Sequence, residues 1–126
     1  MKKILLIPFL FVCYLGMGQS STPALIIGKP ITIDKIIVAQ HDFPNMMNWD
    51  QAKTACLKLG EGWRLPNKEE LNILWRNKAK IGGFAPKYYW SGTDEPGVAW
   101  KQGFTYWTQA LSHKTVKYHV RAVKSL

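Results

Sequence analysis

The side chains able to do chemistry in this 126-residue chain are few and scattered. Cys56 is a thiol that could serve as a nucleophile or a redox centre. It follows Ala52 by four residues and precedes Leu59 by three, however, which puts it on the apolar stripe of a helix, where a buried and inert cysteine is expected. His41 beside Asp42 has the makings of an oriented base, and His113 and His119 could add metal ligands. No His-Glu-x-x-His or paired Cys/His spacing joins them, and two of the three lie in a basic segment that repels a cation. Gly82-Gly83 lacks the helix and lysine that a phosphate loop needs, and no Ser-His-Asp pattern can be read. Neither a catalytic residue, a metal site nor a cofactor is expected.

The positive signal is charge. Lys and Arg number 17 against eight Asp and Glu, a formal net charge of +9. From residue 96 to the end there are five basic residues and no acid, namely Lys101, Lys114, Lys117, Arg121 and Lys124. On a strand reading of this region Lys101, Lys117, His119 and Arg121 share one sheet face, with Trp107 interleaved. Such a face suits polyanions, and aromatic rings stack on sugars as they do on bases. It equally suits a solvated surface that keeps the protein dispersed. The partners expected are anionic glycans or other cell-surface polymers. Nucleic acid is not, because export removes the chain from most of it. The oligomeric state is not legible.

Export is read from the first 18 residues. Met1-Lys2-Lys3 is a positive start, Ile4 to Tyr14 is a nearly unbroken apolar run, and Gly16 and Gly18 fit the −3 and −1 positions of a cleavage site. The run is too short for a membrane span, which needs about 20 apolar residues. Val12 before Cys13 does not suit lipid attachment, which normally follows a small residue. Cleavage after Gly18 leaves 15 basic and eight acidic residues, or +7, and Cys56 as the only thiol. The mature chain then has no transmembrane segment, no internal disulfide and a periplasmic or extracellular location, so its stability rests on its core.

The elements that must position these residues form one domain. Residues 1–18 read as the signal peptide, 19–30 as a polar, flexible leader, and 31–126 as the domain. Ile31-Thr32-Ile33 and Ile36 to Ala39 read as short strands or one bent strand. Asn48 and Gln51 form a capping box, with Trp49, Ala52, Cys56 and Leu59 as the helix stripe and Gly60 as its C′ residue. Asn67 and Glu70 form a second box, with Leu71, Leu74, Trp75 and Lys78 on one face. Tyr88 to Thr93, Val98 to Trp107 and Thr115 to Lys124 are β-like and imply an antiparallel meander. Two helices packed on an antiparallel sheet make an α+β domain.

Gly62-Trp63-Arg64-Leu65-Pro66-Asn67-Lys68-Glu69-Glu70-Leu71 resembles the WRLP…EL signature of a bacterial domain family of unknown function. That family includes the C-terminal domain of a collagen-like adhesin. Trp49 within Asn48 to Ala52, Trp90 within Tyr89 to Gly92, Ala99-Trp100, and the closing Val120 to Lys124 agree in order, so the resemblance runs from about Val38 to Lys124. The family is similar to the formylglycine-generating-enzyme type of C-type-lectin-like fold. The resemblance implies a C-type-lectin-like domain acting in binding or adhesion without catalysis, although the fold hosts unrelated functions. The cysteines that the formylglycine-generating enzyme uses near the end of its domain have no counterpart after Cys56. Asp94-Glu95-Pro96 is superficially similar to the calcium-lectin loop but continues with Gly97, so calcium is not expected. Read from the residues alone, Trp63, Leu65 and Pro66 are a helix-entry staple. Arg64 either points away from the core or forms a fork with Glu70 or another carboxylate. The alternatives to a binding module are a small envelope hydrolase using His41-Asp42 or Cys56, and a structural domain that docks a protein through exposed Trp residues.

Overall fold

The computed structural model describes residues 22–126. The expected signal peptide lies outside the described residues. The leader expected over 19–30 differs in its described part. Pro23–Ile27 form a short helix, α1, capped by Thr22, and Ile26 is buried in the core. Three apolar residues in a row, Leu25-Ile26-Ile27, give this segment a side chain to bury, and Gln40 and His41 hold it through backbone bonds to Ile27 and Ile26.

Ile31–Ile33 (β1) and Ile36–Val38 (β2) form a hairpin with Ile31 opposite Val38. Asp34 makes the tight turn at φ +55, a left-handed conformation that Asp tolerates better than most residues. Trp49–Leu57 (α2) and Lys68–Arg76 (α3) carry both capping boxes, Asn48 with Gln51 and Asn67 with Glu70. The first helix stops at a Lys58 cap, a residue earlier than Gly60 in the C′ position requires. Trp63–Arg64 (β3) lie between the two helices, and Lys78–Ile81 (α4) follow the second.

The expected single meander is two sheets. Tyr88–Glu95 (β4), Val98–Gly103 (β5) and Thr108–His113 (β6) form a three-stranded antiparallel sheet, with a bulge in β4 between Trp90 and Asp94. Its third strand is therefore the stretch around Ala110 to Lys114 that reads as a connection. The chain turns earlier than the apolar pattern suggests, at Phe104 to Trp107, and places Tyr106 in solvent. Val123–Ser125 (β7) leaves this sheet altogether. It runs between β2 and β3 in a four-stranded sheet of order β1-β2-β7-β3. Val120 to Ala122, the irregular segment that leads into it, and Val123, its first residue, are buried at every position, so the segment shows no strand alternation to read.

The core has two parts. One gathers Trp49, Ala52 and Cys56 of α2 with Trp63, Leu65, Trp90, Ala99, Val120 and Ala122. The other gathers Leu71 and Leu74 of α3 with Ile33, Ile36, Val38, Tyr89, Phe104 and Val123. The three-stranded sheet thus offers Trp90 and Ala99 to one part and Tyr89 to the other, as the period of two requires.

Candidate functional site

The residues expected to form one basic face do not meet. Arg121 is fully buried. Its Nε donates to Asp42 Oδ1 at 2.7 Å, its Nη1 to the Ala39 carbonyl and its Nη2 to the Gly82 carbonyl, each at 3.2 Å. The Phe84 ring lies 4.1 Å from its Cζ. The Tyr89 hydroxyl donates to the other Asp42 oxygen and accepts from the Ala85 N–H. Burial first, then the bond to Asp42 and its charge, push the Tyr89 hydroxyl well above the ordinary phenol range. His119 is half-buried with its ring 5.4 Å from that of Tyr89, and its backbone pairs with β4. Lys117 is exposed in the turn after β6. Trp107 donates its indole N–H to Asn72 of α3 at 2.6 Å. Gln102 faces the same Asn72, so Trp107 stands on the side of the sheet opposite Lys101. Strand alternation places Lys101 correctly, but the segment holding Lys117, His119 and Arg121 is not the neighbouring strand.

Lys101 belongs to an aromatic cluster instead. Its Nζ donates to Tyr118 Oη at 2.8 Å and sits 4.2 Å from the Tyr88 ring centroid and 4.6 Å from that of Tyr118. Ser112 Oγ is 2.8 Å from the same hydroxyl. Burial alone raises the Tyr118 hydroxyl, but the bonds from Lys101 and Ser112 and the lysine charge outweigh it and bring it below the usual phenol range. Beside Tyr88 the surface dips into a depression of about 200 Å³ lined by Lys87, Tyr88, Gly103, Thr105, Tyr106 and Thr108. Gly103 is among its lining residues. A Cβ there would lie 3.0 Å from the Tyr106 carbonyl and 3.4 Å from the Tyr88 ring. Tyr106 is 79% exposed, and Trp107 beside it is 51% exposed. Tyr88, Lys87, Tyr106 and Tyr118 were outside the sequence-based site. The available signal was the recurrence of Tyr-Tyr-Trp and Tyr-Trp at the two ends of a hairpin, which brings positions 88 and 103 opposite each other.

The signature residues around β3 all have packing partners. Trp63, Leu65 and Pro66 are buried. Arg64 grips Glu70 as a two-pronged fork, Nη1 to Oε1 at 2.6 Å and Nη2 to Oε2 at 3.0 Å, and reaches Ser125 Oγ at 2.8 Å. Desolvation raises the Glu70 carboxyl, yet the bonds from Arg64 and the Asn67 N–H prevail and hold it below the usual carboxylate range. The Trp49 indole donates to the Ser91 carbonyl and that of Trp90 to the Met47 carbonyl, both at 2.9 Å. Cys56 is buried, and desolvation pushes its thiol up to about 12. His41 is exposed. Among the described residues no group of three or more His, Cys, Asp or Glu could hold a metal ion, and no helix is long and apolar enough to cross a membrane.

The arrangement is that of the C-type-lectin-like fold. Botrocetin, a C-type-lectin-like venom protein, matches with a TM-score of 0.61 at 12% identity, over 79% of this chain and 98% of its own. EMS16, an antagonist of the collagen receptor integrin α2β1, matches with a TM-score of 0.60 at 12% identity, over 77% of this chain and 97% of its own. No protein-family model matches the chain, and no curated protein does. The likeness to the WRLP…EL family accordingly rests on its residues, while the fold rests on the structural match.

Proposed function

We propose that the chain is an exported, non-catalytic binding module for anionic or saccharide polymers of a cell surface. The observation that carries this reading is the depression between Tyr88 and Tyr106. It offers two aromatic rings, the hydroxyls of Thr105 and Thr108 and the ammonium of Lys87, with Lys101 behind Tyr88. Rings and hydroxyls of this kind suit a pyranose, and the lysines suit a sulfate or carboxylate on it. The buried thiol of Cys56 and the structural engagement of Asp42 support the absence of catalysis, since the two groups best able to serve a hydrolase are otherwise occupied.

The test is a glycan and polyanion array, read with the exported chain at low and at moderate salt. Binding to a subset of anionic glycans should weaken with salt, because exposed charges are screened over about 8–10 Å. It should weaken further in Tyr106→Ala and in Lys87→Glu. Absence of binding at either salt, or binding indifferent to Tyr106→Ala, would refute the reading. A second reading, docking of a protein, is favoured by the adjacent exposure of Tyr106 and Trp107. EMS16, of similar fold, is by its description an antagonist of a receptor protein.

A further inference from the structure

The β5–β6 turn sends two consecutive aromatic rings to opposite sides of its sheet. Tyr106 goes to the side of Tyr88 and Gly103 and borders the depression. Trp107 goes to the side of Gln102 and lies against α3, where its indole N–H donates to Asn72 Oδ1 at 2.6 Å. The ring is held by that bond and is still 51% exposed. An indole N–H can only donate, so the Asn72 oxygen must face it and the Asn72 amide nitrogen points away. Among the described residues that nitrogen donates to nothing. Gln109 is anchored in the same way. Its Nε2 donates to the Lys68 carbonyl at 2.9 Å and to Oε1 of the fully buried Gln102 at 3.0 Å, and its own side-chain oxygen has no partner among the described residues. Lys68, Asn72 and Arg76 lie four residues apart on α3 and make one row with steps of about 6 Å. Trp107 rests on the middle member, with a lysine on one side and an arginine on the other. Arg76 is exposed, and the Lys68 ammonium stands 3.5 Å from the Trp100 ring centroid. Of the two acids of α3, Glu70 is held in the Arg64 fork and Glu69 borders the row.

We infer that the ligand is an internal stretch of a linear anionic polysaccharide, laid over the β5–β6 turn so that it touches the Tyr106 depression on one side and Trp107 with the Lys68–Asn72–Arg76 row on the other. The inference rests on the depression being the binding site, and it adds the second contact and the length of chain needed to reach it. Trp107 supplies a ring for a sugar face. The Asn72 amide and the Gln109 oxygen supply a donor and an acceptor for hydroxyls, and Lys68 and Arg76 supply cations for sulfate or carboxylate groups on neighbouring sugars. Trp107, Asn72 and Gln109 are fixed before a ligand arrives, so little side-chain freedom is lost on binding. The turn between the two contacts, Phe104-Thr105-Tyr106-Trp107, carries no acid to repel the chain. A single sugar cannot make both contacts, because a layer of sheet with its side chains is about 10 Å through.

The probes are a heparin-derived disaccharide and octasaccharide, titrated into the full chain as an exporting host releases it. The Tyr106 backbone amide and the Trp107 indole N–H are followed by nuclear magnetic resonance. The octasaccharide should shift both signals with one common Kd, more than tenfold lower than the Kd of the disaccharide at Tyr106, because the second contact forms at high effective concentration. Arg76→Glu, at an exposed position, and Trp107→Ala should each weaken the octasaccharide about tenfold and leave the disaccharide at Tyr106 unchanged. Lys58→Glu, an equal charge reversal at the exposed end of α2, should change neither. An octasaccharide that shifts Tyr106 but not Trp107, an affinity indifferent to Arg76→Glu, or one lowered as much by Lys58→Glu would overturn the path over the turn while leaving the depression as the site. So would a Trp107→Ala variant that weakens both probes equally, which would make that ring a support for the turn. Failure of either probe to shift Tyr106 would overturn the depression itself and this inference with it.

Discussion

Replacing Asp42 by Ala strands a guanidinium in the interior. The Arg121 side chain has no exposed surface, and among the described residues Asp42 is the only anion it touches, at 2.7 Å. Its remaining bonds, to the carbonyls of Ala39 and Gly82, are longer at 3.2 Å and carry no full charge. Breaking a buried pair by removing one partner costs about 3–5 kcal/mol, because the other charge stays desolvated. The upper half of that range applies here, since the Tyr89 hydroxyl loses its acceptor in the same change. The opposite truncation, Arg121→Met, should cost less, roughly 2–3 kcal/mol. Asp42 keeps some contact with water, with 16% of its side chain exposed, and keeps the Tyr89 hydroxyl as donor. The double variant should be more stable than the two losses summed, by about 2 kcal/mol or more, because neither charge then remains alone. Urea unfolding followed by tryptophan fluorescence measures all three. With a slope of about 1–3 kcal/mol per M, a 4 kcal/mol loss moves the midpoint by roughly 2 M. A loss under about 1 kcal/mol for Asp42→Ala, or strict additivity in the double variant, would refute the account of a desolvated pair.

Cys56 should be unreactive towards a thiol reagent in the native protein at pH 8 and react fully in denaturant, as its burial and a thiol pushed up to about 12 require. Glu70 titrates lower in the fold than in the unfolded chain, so its contribution is present above the unfolded pKa and is lost as pH falls through the folded one. Glu70→Gln should accordingly lower stability at neutral pH, by about 1 kcal/mol for so partly exposed a pair, and flatten its decline towards acid, as urea midpoints from pH 7 to 3 will record. Tyr118 should form its phenolate at lower pH than an ordinary tyrosine in an ultraviolet titration, and Lys101→Met should move that step upward. Gly83 stands at φ +78 with its missing Cβ 3.2 Å from Arg121 Nη2. Gly83→Ala should therefore cost about 1–2 kcal/mol in the same urea assay, through left-handed backbone strain and displacement of the guanidinium.

The starts of α2 and α3 were legible because their causes are local, whereas α3 ends at Arg76, before the Lys78 that the face read from the sequence includes. Asn48 with Gln51 and Asn67 with Glu70 satisfy N–H groups three residues away, and the stripe Trp49, Ala52, Cys56 faces a core wherever that core lies. The β1–β2 hairpin and the first two strands of the smaller sheet follow from short-range alternation and turn residues in the same way. The helix at Pro23–Ile27 was not legible. It spans a little over one turn and exists because Ile26 finds a pocket among residues distant in sequence. The proposed site was only partly legible. Strand alternation places Lys101, but its neighbours Tyr88 and Tyr118 arrive from β4 and from the approach to β7.

The sequence by itself determined the class of the domain, the starts of the two longer helices, the inert placement of Cys56 and the sign of the net charge. Each rests on interactions within a few residues, or on composition. The tertiary structure alone decided where the last ten residues go. Val123 to Ser125 leave the aromatic sheet and fill the gap between β2 and β3, about 85 and about 60 residues away in the chain. That one long-range pairing buries Arg121 on Asp42 and separates it from Lys101, Lys117 and Trp107, so a basic run in the sequence becomes a buried ion pair and a dispersed set of lysines. Pairing partners in a sheet are chosen by which edge is free and how well the two faces pack, and neither quantity exists until the rest of the chain is in place.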